Sequence, residues 1–187
     1  MTRSAWGEIA AAVSIRAPSL YNHFAGKQAI FDAIVEDTAK RYDEFTAGLS
    51  VHVGNAERDV PVFDGIGEDV LVEKVKQIFL YSLHDPSVSA FRRLLTIEQF
   101  RSPALAAMYT ERYVNRLVAY HRRLFERLIA TGELVEEDAG VLALMYVTPV
   151  LTLIGVCDRQ PEREAECIEK LSARVRRFHR TCHKKKT

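Results

Sequence analysis

Helical periodicity, interrupted at intervals, is the feature that most constrains the fold of this chain. From Val70 onward, apolar residues recur three and four positions apart. The pattern predicts helices over residues 70–84, 88–100, 103–131, 136–156 and 161–180, separated at Asp85-Pro86, Ser102-Pro103, Thr131-Gly132 and Gln160-Pro161. No segment shows the sustained alternation of apolar and polar residues that is typical of a half-buried strand. The sequence therefore predicts an all-α protein.

The first 49 residues predict three further helices. The first runs from Ser4, a good N-cap, to Val13, and the second from Pro18 to about Phe24. Two short helices joined by a few residues form a helix-turn-helix. A longer helix begins near Lys27, and residues 50–69, which hold four glycines or prolines, read as a loop. We place the domain boundary inside the long helix, with an N-terminal unit of residues 1–46 and a larger helical domain of residues 47–187.

Composition narrows the possible classes of protein. Of the 187 residues, 48% are hydrophobic, which is enough to form a sizeable core. Because 26 Lys and Arg stand against 25 Asp and Glu, any nucleic-acid site must be local. The longest apolar stretch, residues 141–157, contains Pro149 and is short for a bilayer span, and the first residues do not form a secretory signal. Three cysteines without a Cys-x-x-Cys pair suit a reducing compartment. We expect a cytoplasmic protein without membrane association.

The sequence predicts no catalytic site, cofactor or metal centre. It lacks a Glu-x-x-His pair, a His-Glu-x-x-His motif, a phosphate-binding loop and a Gly-x-Ser-x-Gly motif. His179, Cys182 and His183 lie close together in sequence and could approach one metal ion. At a basic chain end, solvated side chains are the favoured interpretation. No enzymatic activity is expected.

A string of apolar, small, aromatic and basic residues covers the two short helices and the start of the third. Its members are Glu8-Ile9-Ala10-Ala11-Ala12, Ile15, Ser19-Leu20-Tyr21-Asn22-His23-Phe24, Lys27, Ile30 and Phe31. In residue type and spacing this string resembles the DNA-binding domain of the tetracycline-repressor (TetR) family of bacterial regulators. Beyond residue 45, the number and lengths of the helices are similar to the variable ligand-binding and dimerisation domain of that family.

The resemblance implies that residues 18–24 form a recognition helix that enters the major groove of operator DNA. The side chains nearest the DNA would be Ser4, Ala17, Pro18, Ser19, Tyr21, Asn22, His23 and Lys27. Tyr21 and His23 suit phosphate contacts, whereas Asn22 can read a base edge. Lys27 and the free amides of its helix start suit another phosphate. Ordinary surface positions are the alternative for Tyr21 and His23, and we favour DNA contact.

Two features depart from the family pattern. Ser14 stands where the family normally has a glycine in the turn, and only three residues precede Ser4, where family members carry an amphipathic first helix. The expectation is therefore a truncated helix-turn-helix domain without its first helix. This departure motivates an alternative function, a helical small-molecule-binding or sensor protein that no longer binds DNA.

The larger domain is expected to bind a small-molecule effector, because long helices rich in aromatic residues can surround a cavity. The predicted ligand-binding residues are Phe79, Phe91, Leu95, Glu98, Gln99, Tyr109, Tyr113, Arg116, Leu117, Tyr120, Met145 and Thr148. Core packing is the alternative for any single one of them. For the group as a whole, the family resemblance favours ligand contact.

The last two helices each carry apolar positions for a two-fold interface. Two copies would form a four-helix bundle through Val141, Leu144, Leu151, Thr152, Gly155, Ile168, Leu171, Val175 and Phe178. Pro149 removes one backbone hydrogen bond, so we expect a kink and a carbonyl at Met145 without its usual donor.

A homodimer presents two recognition helices to a palindromic operator. An effector that prefers one spacing of these helices shifts the DNA-binding equilibrium. The resemblance thus implies a ligand-responsive DNA-binding transcriptional regulator, a repressor that a small molecule releases from its operator.

Overall fold

The computed structural model describes residues 27–184, with side chains from Ala29 onward. The helices of this part are α1 (Lys27–Gly48), α2 (Ala56–Phe63), α3 (Glu68–His84), α4 (Pro86–Glu98), α5 (Pro103–Thr110), α6 (Arg116–Ala130), α7 (Ala139–Arg159) and α8 (Glu164–Cys182). A π-helical segment, Glu111–Asn115, joins α5 to α6, and a 3₁₀ turn, Pro161–Arg163, precedes α8. Residues 27–184 contain no β-strand, only an isolated bridge between Leu134 and His183. The predicted all-α class is confirmed.

Helix starts fall at the breakers seen in the sequence, because capping side chains satisfy the first free amides. Asp85 accepts a hydrogen bond from the Val88 amide at 2.8 Å, and Asp138 accepts one from the Val141 amide at 2.8 Å. Pro86 occupies the first turn of α4, where its missing N–H removes no hydrogen bond. Local chemistry therefore fixes where these helices begin.

Residues 50–69 are not wholly a loop, contrary to the prediction. They contain α2, which is capped by Asn55 and includes Pro61. Eight residues with an internal proline give too short a pattern for helical periodicity to stand out. The segment matters because its Asp59 is fully buried and contacts α6.

The predicted helix over residues 103–131 has the expected extent but a different internal geometry. Between α5 and α6, the π-helical segment inserts one extra residue into the turn and changes the directions of the side chains that follow. Arg112 and Tyr113 lie in this segment, and Arg116 follows it directly. Such bulges are frequent at functional sites.

Packing centres on α7. It contacts α6 most extensively and also touches α3 and α8, while α2 covers α6. A first core cluster includes Leu124, Leu134 and Phe178. A separate cluster joins α1 to α4 through Phe31, Ile34, Phe91 and Leu95.

Helix α7 is long and apolar enough to cross a membrane by length and composition, with 33% of its most apolar window buried inside the protein. Its other side exposes Val141, Leu144 and Met145. The Met145 carbonyl, which is expected to lack its usual donor because of Pro149, accepts a hydrogen bond from Arg174 of α8. The bond that Pro149 removes is thus replaced by one from a neighbouring helix.

Candidate ligand-binding cavity

A cavity of about 140 Å³ lies among α3, α6 and α7, with further contributions from α1, α2, α4, α8 and the π-helical segment. By the same kind of measure, one water molecule needs about 10–15 Å³, so the space corresponds to roughly ten waters. Most of its wall is apolar and aromatic, for example Phe79, Leu124 and Ile154. A mainly apolar cavity with a few polar groups is typical of a small-molecule site.

Five of the predicted ligand-binding residues line this cavity. Phe79 comes from α3, Tyr113 from the π-helical segment, and Arg116, Leu117 and Tyr120 from α6. The three from α6 share one side of the helix, together with its neighbour His121.

Three other predicted ligand residues, Phe91, Leu95 and Tyr109, pack in the separate cluster beside α1 and do not line the cavity. Phe91 and Leu95 are buried on the side of α4 that faces Phe31 and Ile34 of α1. Their apolar character reflects the packing of α4 on α1.

Four more lie away from the cavity. Glu98, which pairs with Arg101 at 3.5 Å, and Gln99, which donates to the Thr96 carbonyl at 2.9 Å, are at the end of α4. Met145 and Thr148 are exposed on the outer side of α7, and Met145 keeps 57% of its surface. A helical pattern alone does not tell which side of α7 faces inward.

The structure also brings to the cavity wall polar residues that are not among the predicted ligand-binding residues. They are Tyr42, Lys74, Ser82, Arg92, Arg112, His121, Tyr146 and His183. Of the two arginines in this list, Arg92 looks like a surface cation in the sequence, as does its neighbour Arg93. Nothing in the sequence indicates that Arg92 is buried while Arg93 is exposed.

Two cavity arginines hold the long helix α1. Arg112 donates a hydrogen bond to the Val35 carbonyl at 3.1 Å. Arg116 donates to both carboxylate oxygens of Asp43 at 2.9 Å and to the Val53 carbonyl at 3.1 Å. The wall of the cavity and α1 are therefore connected directly.

A buried carboxylate connects α2 to α6. Asp59 accepts hydrogen bonds from the His52 amide at 2.6 Å, from the His52 ring Nδ1 and from the Tyr120 hydroxyl. Burial, followed by the hydrogen bond to Asp59, raises the pKa of Tyr120 well above its ordinary value. Tyr120 is therefore a protonated donor at neutral pH, and its ring is held against the cavity.

His121 stays neutral at physiological pH, because burial lowers its pKa to about 4. Its Nδ1 donates to the Leu117 carbonyl at 2.8 Å, so Nε2 is the unprotonated nitrogen. The ring packs against Tyr146 with centroids 5.0 Å apart. This part of the wall is aromatic and uncharged.

Arg92 is compensated inside the protein. Its side chain is 6% exposed, and it pairs with Asp158 of α7 through two hydrogen bonds of 2.9 and 2.8 Å. It also donates to the Ser82 carbonyl of α3. One buried guanidinium thereby joins three helices at the cavity.

The outer side of α7 carries part of the predicted dimer interface. Val141, Leu144 and Thr152 are exposed there, while Leu151 lines the cavity and Gly155 lies beside Arg159.

The positions predicted on α8 point inward. Leu171, Val175 and Phe178 are buried in the core of their own chain, and Ile168 packs against the cluster around Phe79. Their apolar stripe is used within the subunit, because α8 packs on both α3 and α7.

The predicted DNA contacts lie outside the described residues, except that Lys27 is the first residue of α1 and its side chain is not described. The same holds for the predicted helices over residues 4–24. Among residues 27–184, no group of three or more His, Cys, Asp or Glu side chains is placed to bind a metal ion.

Residues 71–152 match the family model of the C-terminal domain of AefR-like transcriptional repressors, one of the TetR C-terminal domain models. The matched range runs from α3 into α7 and contains most of the cavity wall. No curated protein and no solved structure matched the chain.

Proposed function

We propose that this chain, whose matched domain supports membership of the TetR family of transcriptional regulators, is a repressor that a small molecule releases from operator DNA. In this proposal the effector occupies the cavity, and the N-terminal residues with the helix-turn-helix pattern bind the DNA. The protein acts in the cytoplasm as a homodimer.

The observation that carries the proposal is the connection between the cavity and α1. Arg112 and Arg116 line the cavity and bind α1 at Val35 and Asp43. These two points are eight residues apart, which is roughly 12 Å along a helix. A ligand that repositions both arginines therefore acts on a long section of α1. Because α1 begins directly after residues 1–26, a shift of α1 changes the position of the predicted recognition helix.

Energetically, the ligand needs different affinities for the two positions of α1. A ligand that binds both equally shifts nothing, however tight its binding. The Arg116–Asp43 pair is half-exposed, with side chains 35% and 42% exposed. Since such pairs contribute at most about 1 kcal/mol, this contact can change without unfolding the domain.

Dimerisation is proposed through the exposed apolar side of α7. Val141, Leu144 and Met145 lie in one row, and Thr148 and Thr152 extend it along the helix. Exposed apolar rows of this kind mark interaction surfaces. Two copies related by a two-fold axis cover each other's rows and place two DNA-binding segments on one molecule. We propose that protein rather than lipid covers this side of α7.

The dimer is tested by light scattering coupled to gel filtration. The native chain is expected to run as a dimer at micromolar concentration and Leu144→Asp as a monomer, because a buried unpaired charge opposes association. Val70→Asp is the matched control, since Val70 is similarly exposed on α3. A native monomer, or equal loss of the dimer in both variants, contradicts this interface.

DNA binding is tested by fluorescence anisotropy with DNA from upstream of the gene. We expect affinity that falls steeply with salt, and a loss of at least tenfold in Tyr21→Ala, with little change in the surface variant Glu126→Gln. If binding is independent of salt and of Tyr21, the repressor proposal fails and a small-molecule-binding protein without DNA binding replaces it.

A further inference from the structure

The charges around the cavity are all of one sign. The described lining residues include no aspartate or glutamate. The cations among them are Lys74 from α3, Arg92 from α4, Arg112 from the π-helical segment and Arg116 from α6. Arg92 and Arg116 have carboxylate partners, Asp158 and Asp43. Arg112 and Lys74 are thus the lining cations for which the described residues show no carboxylate partner, and an anionic ligand would supply one.

Arg112 differs from the paired arginines. Its hydrogen bond to the Val35 carbonyl uses one of five N–H donors, and the neighbouring Tyr113 hydroxyl interacts with the same guanidinium. In the described part of the chain it has no carboxylate within 4.0 Å, and it lies over the ring of Phe91 at 5.2 Å. Burial lowers the pKa of Arg112, which means that its surroundings disfavour the charged form. A bound anion would remove this penalty.

Two tyrosine hydroxyls accompany Arg112. The hydroxyl of Tyr113 is buried, and no acceptor lies within hydrogen-bonding geometry among the described residues. Tyr42 of α1 lies in the electrostatic field of Arg112, Arg116 and Tyr113, and burial raises its pKa to about 12, so it remains a protonated donor. A buried hydroxyl without an acceptor and a second protonated hydroxyl thus accompany a guanidinium that has no carboxylate within 4.0 Å among the described residues.

We propose that the cavity binds a monoanionic organic acid whose carboxylate is held by Arg112 with Tyr42 and Tyr113, and whose apolar body lies against Phe79 and the aromatic wall of α6 and α7. The volume of about 140 Å³ admits a molecule of roughly ten non-hydrogen atoms. This inference rests on the proposed function, since it names the chemical class of the effector. It also gives the ligand a direct contact to the residue that binds α1.

The experiment compares acids with alcohols of the same carbon skeleton by isothermal titration calorimetry at pH 7.5. The pairs are octanoate with 1-octanol, and 3-phenylpropanoate with 3-phenyl-1-propanol. We expect each acid to bind at least tenfold more tightly than its alcohol. An apolar cavity without an available cation gives the opposite order, because transfer of a carboxylate from water is costly.

Variants locate the carboxylate. Arg112→Gln is expected to abolish the preference for acids, and Tyr113→Phe, which removes only a hydroxyl, to reduce acid affinity several-fold while leaving alcohol affinity unchanged. Arg122→Gln is the control, since Arg122 is a surface cation of α6 paired with Glu126. If Arg112→Gln fails to fold, the native acid–alcohol comparison and Tyr113→Phe decide the question.

Three outcomes overturn the inference. Alcohols that bind as tightly as the acids, acids whose affinity is unchanged in Arg112→Gln and Tyr113→Phe, or no binding of any of the four compounds would each do so. Failure of the proposed function looks different, because the acids then bind as predicted while DNA affinity stays the same with and without them.

Discussion

The ion pair between Arg92 and Asp158 gives a quantitative test of how this domain is held together. Both side chains are largely buried, with 6% and 15% exposed, and two hydrogen bonds of 2.9 and 2.8 Å join them. The change Asp158→Asn removes the negative charge while keeping the size of the side chain. It leaves a guanidinium between α3, α4 and α7 without a counter-charge.

The expected loss follows from burial. Breaking a buried pair by removing one partner costs about 3–5 kcal/mol, whereas an exposed pair is worth about 0–1 kcal/mol. Asp158→Asn should therefore destabilise the protein by about 3 kcal/mol, since asparagine retains one acceptor for Arg92. The exposed Arg122–Glu126 pair is the internal comparison, with side chains 62% and 48% exposed.

The assay is urea unfolding followed by circular dichroism, with Glu126→Gln as the control. Replacing both partners, as in Arg92→Met with Asp158→Leu, should recover much of the loss because no buried charge is left. A loss below 1 kcal/mol in Asp158→Asn, or no recovery in the double variant, refutes the argument that an uncompensated buried charge governs the effect.

Three further predictions concern buried polar groups. Asp59→Ala should cost about 2–5 kcal/mol in urea unfolding, because it leaves buried donors unsatisfied, and Asp59→Asn should cost less. His121, with a folded pKa near 4 against about 6.5 when unfolded, should make stability fall as the pH drops from 6.5 to 4, by up to about 3 kcal/mol relative to His121→Gln. The same pH profile in the native protein and in His121→Gln would contradict this. The nearby Arg174 is cationic throughout that range, so its charge does not change with pH there. Arg174→Met should cost about 1–3 kcal/mol in stability, because it removes the donor to the Met145 carbonyl. Adding Pro149→Ala should restore part of this loss, because the alanine N–H can donate to the same carbonyl. Additive effects of the two changes would contradict the idea that both act on this carbonyl.

Much of the fold follows from local signals in the sequence. Breakers and caps such as Asp85, Ser102 and Asp138 end and start helices through short-range hydrogen bonds, so their positions can be read without the tertiary structure. Helix α2 is missed because its eight residues include a proline and give too short a pattern, while its buried Asp59 finds a partner in Tyr120, far away in sequence. The π-helical segment is missed as well, since nothing in residues 111–115 distinguishes it from an α-helix.

The site is less predictable because the direction of each helix face depends on its neighbours. Tyr113, Arg116 and Tyr120 are predicted as ligand residues and line the cavity, while Met145 and Thr148 are exposed. On α7 both sides are apolar, so hydropathy cannot separate the side that faces the core from the side that is exposed. Arg92 is missed because its burial depends on Asp158, a partner far away in sequence.

Control of DNA binding by the cavity through α1 is tested most directly by titrating the protein onto its upstream DNA with and without saturating octanoate. The expected result is a loss of DNA affinity of at least tenfold in the native protein and none in Arg112→Gln. By thermodynamic linkage, bound DNA must then lower octanoate affinity by the same factor. Equal DNA affinities in the presence and absence of a ligand that calorimetry shows to be bound would contradict the coupling.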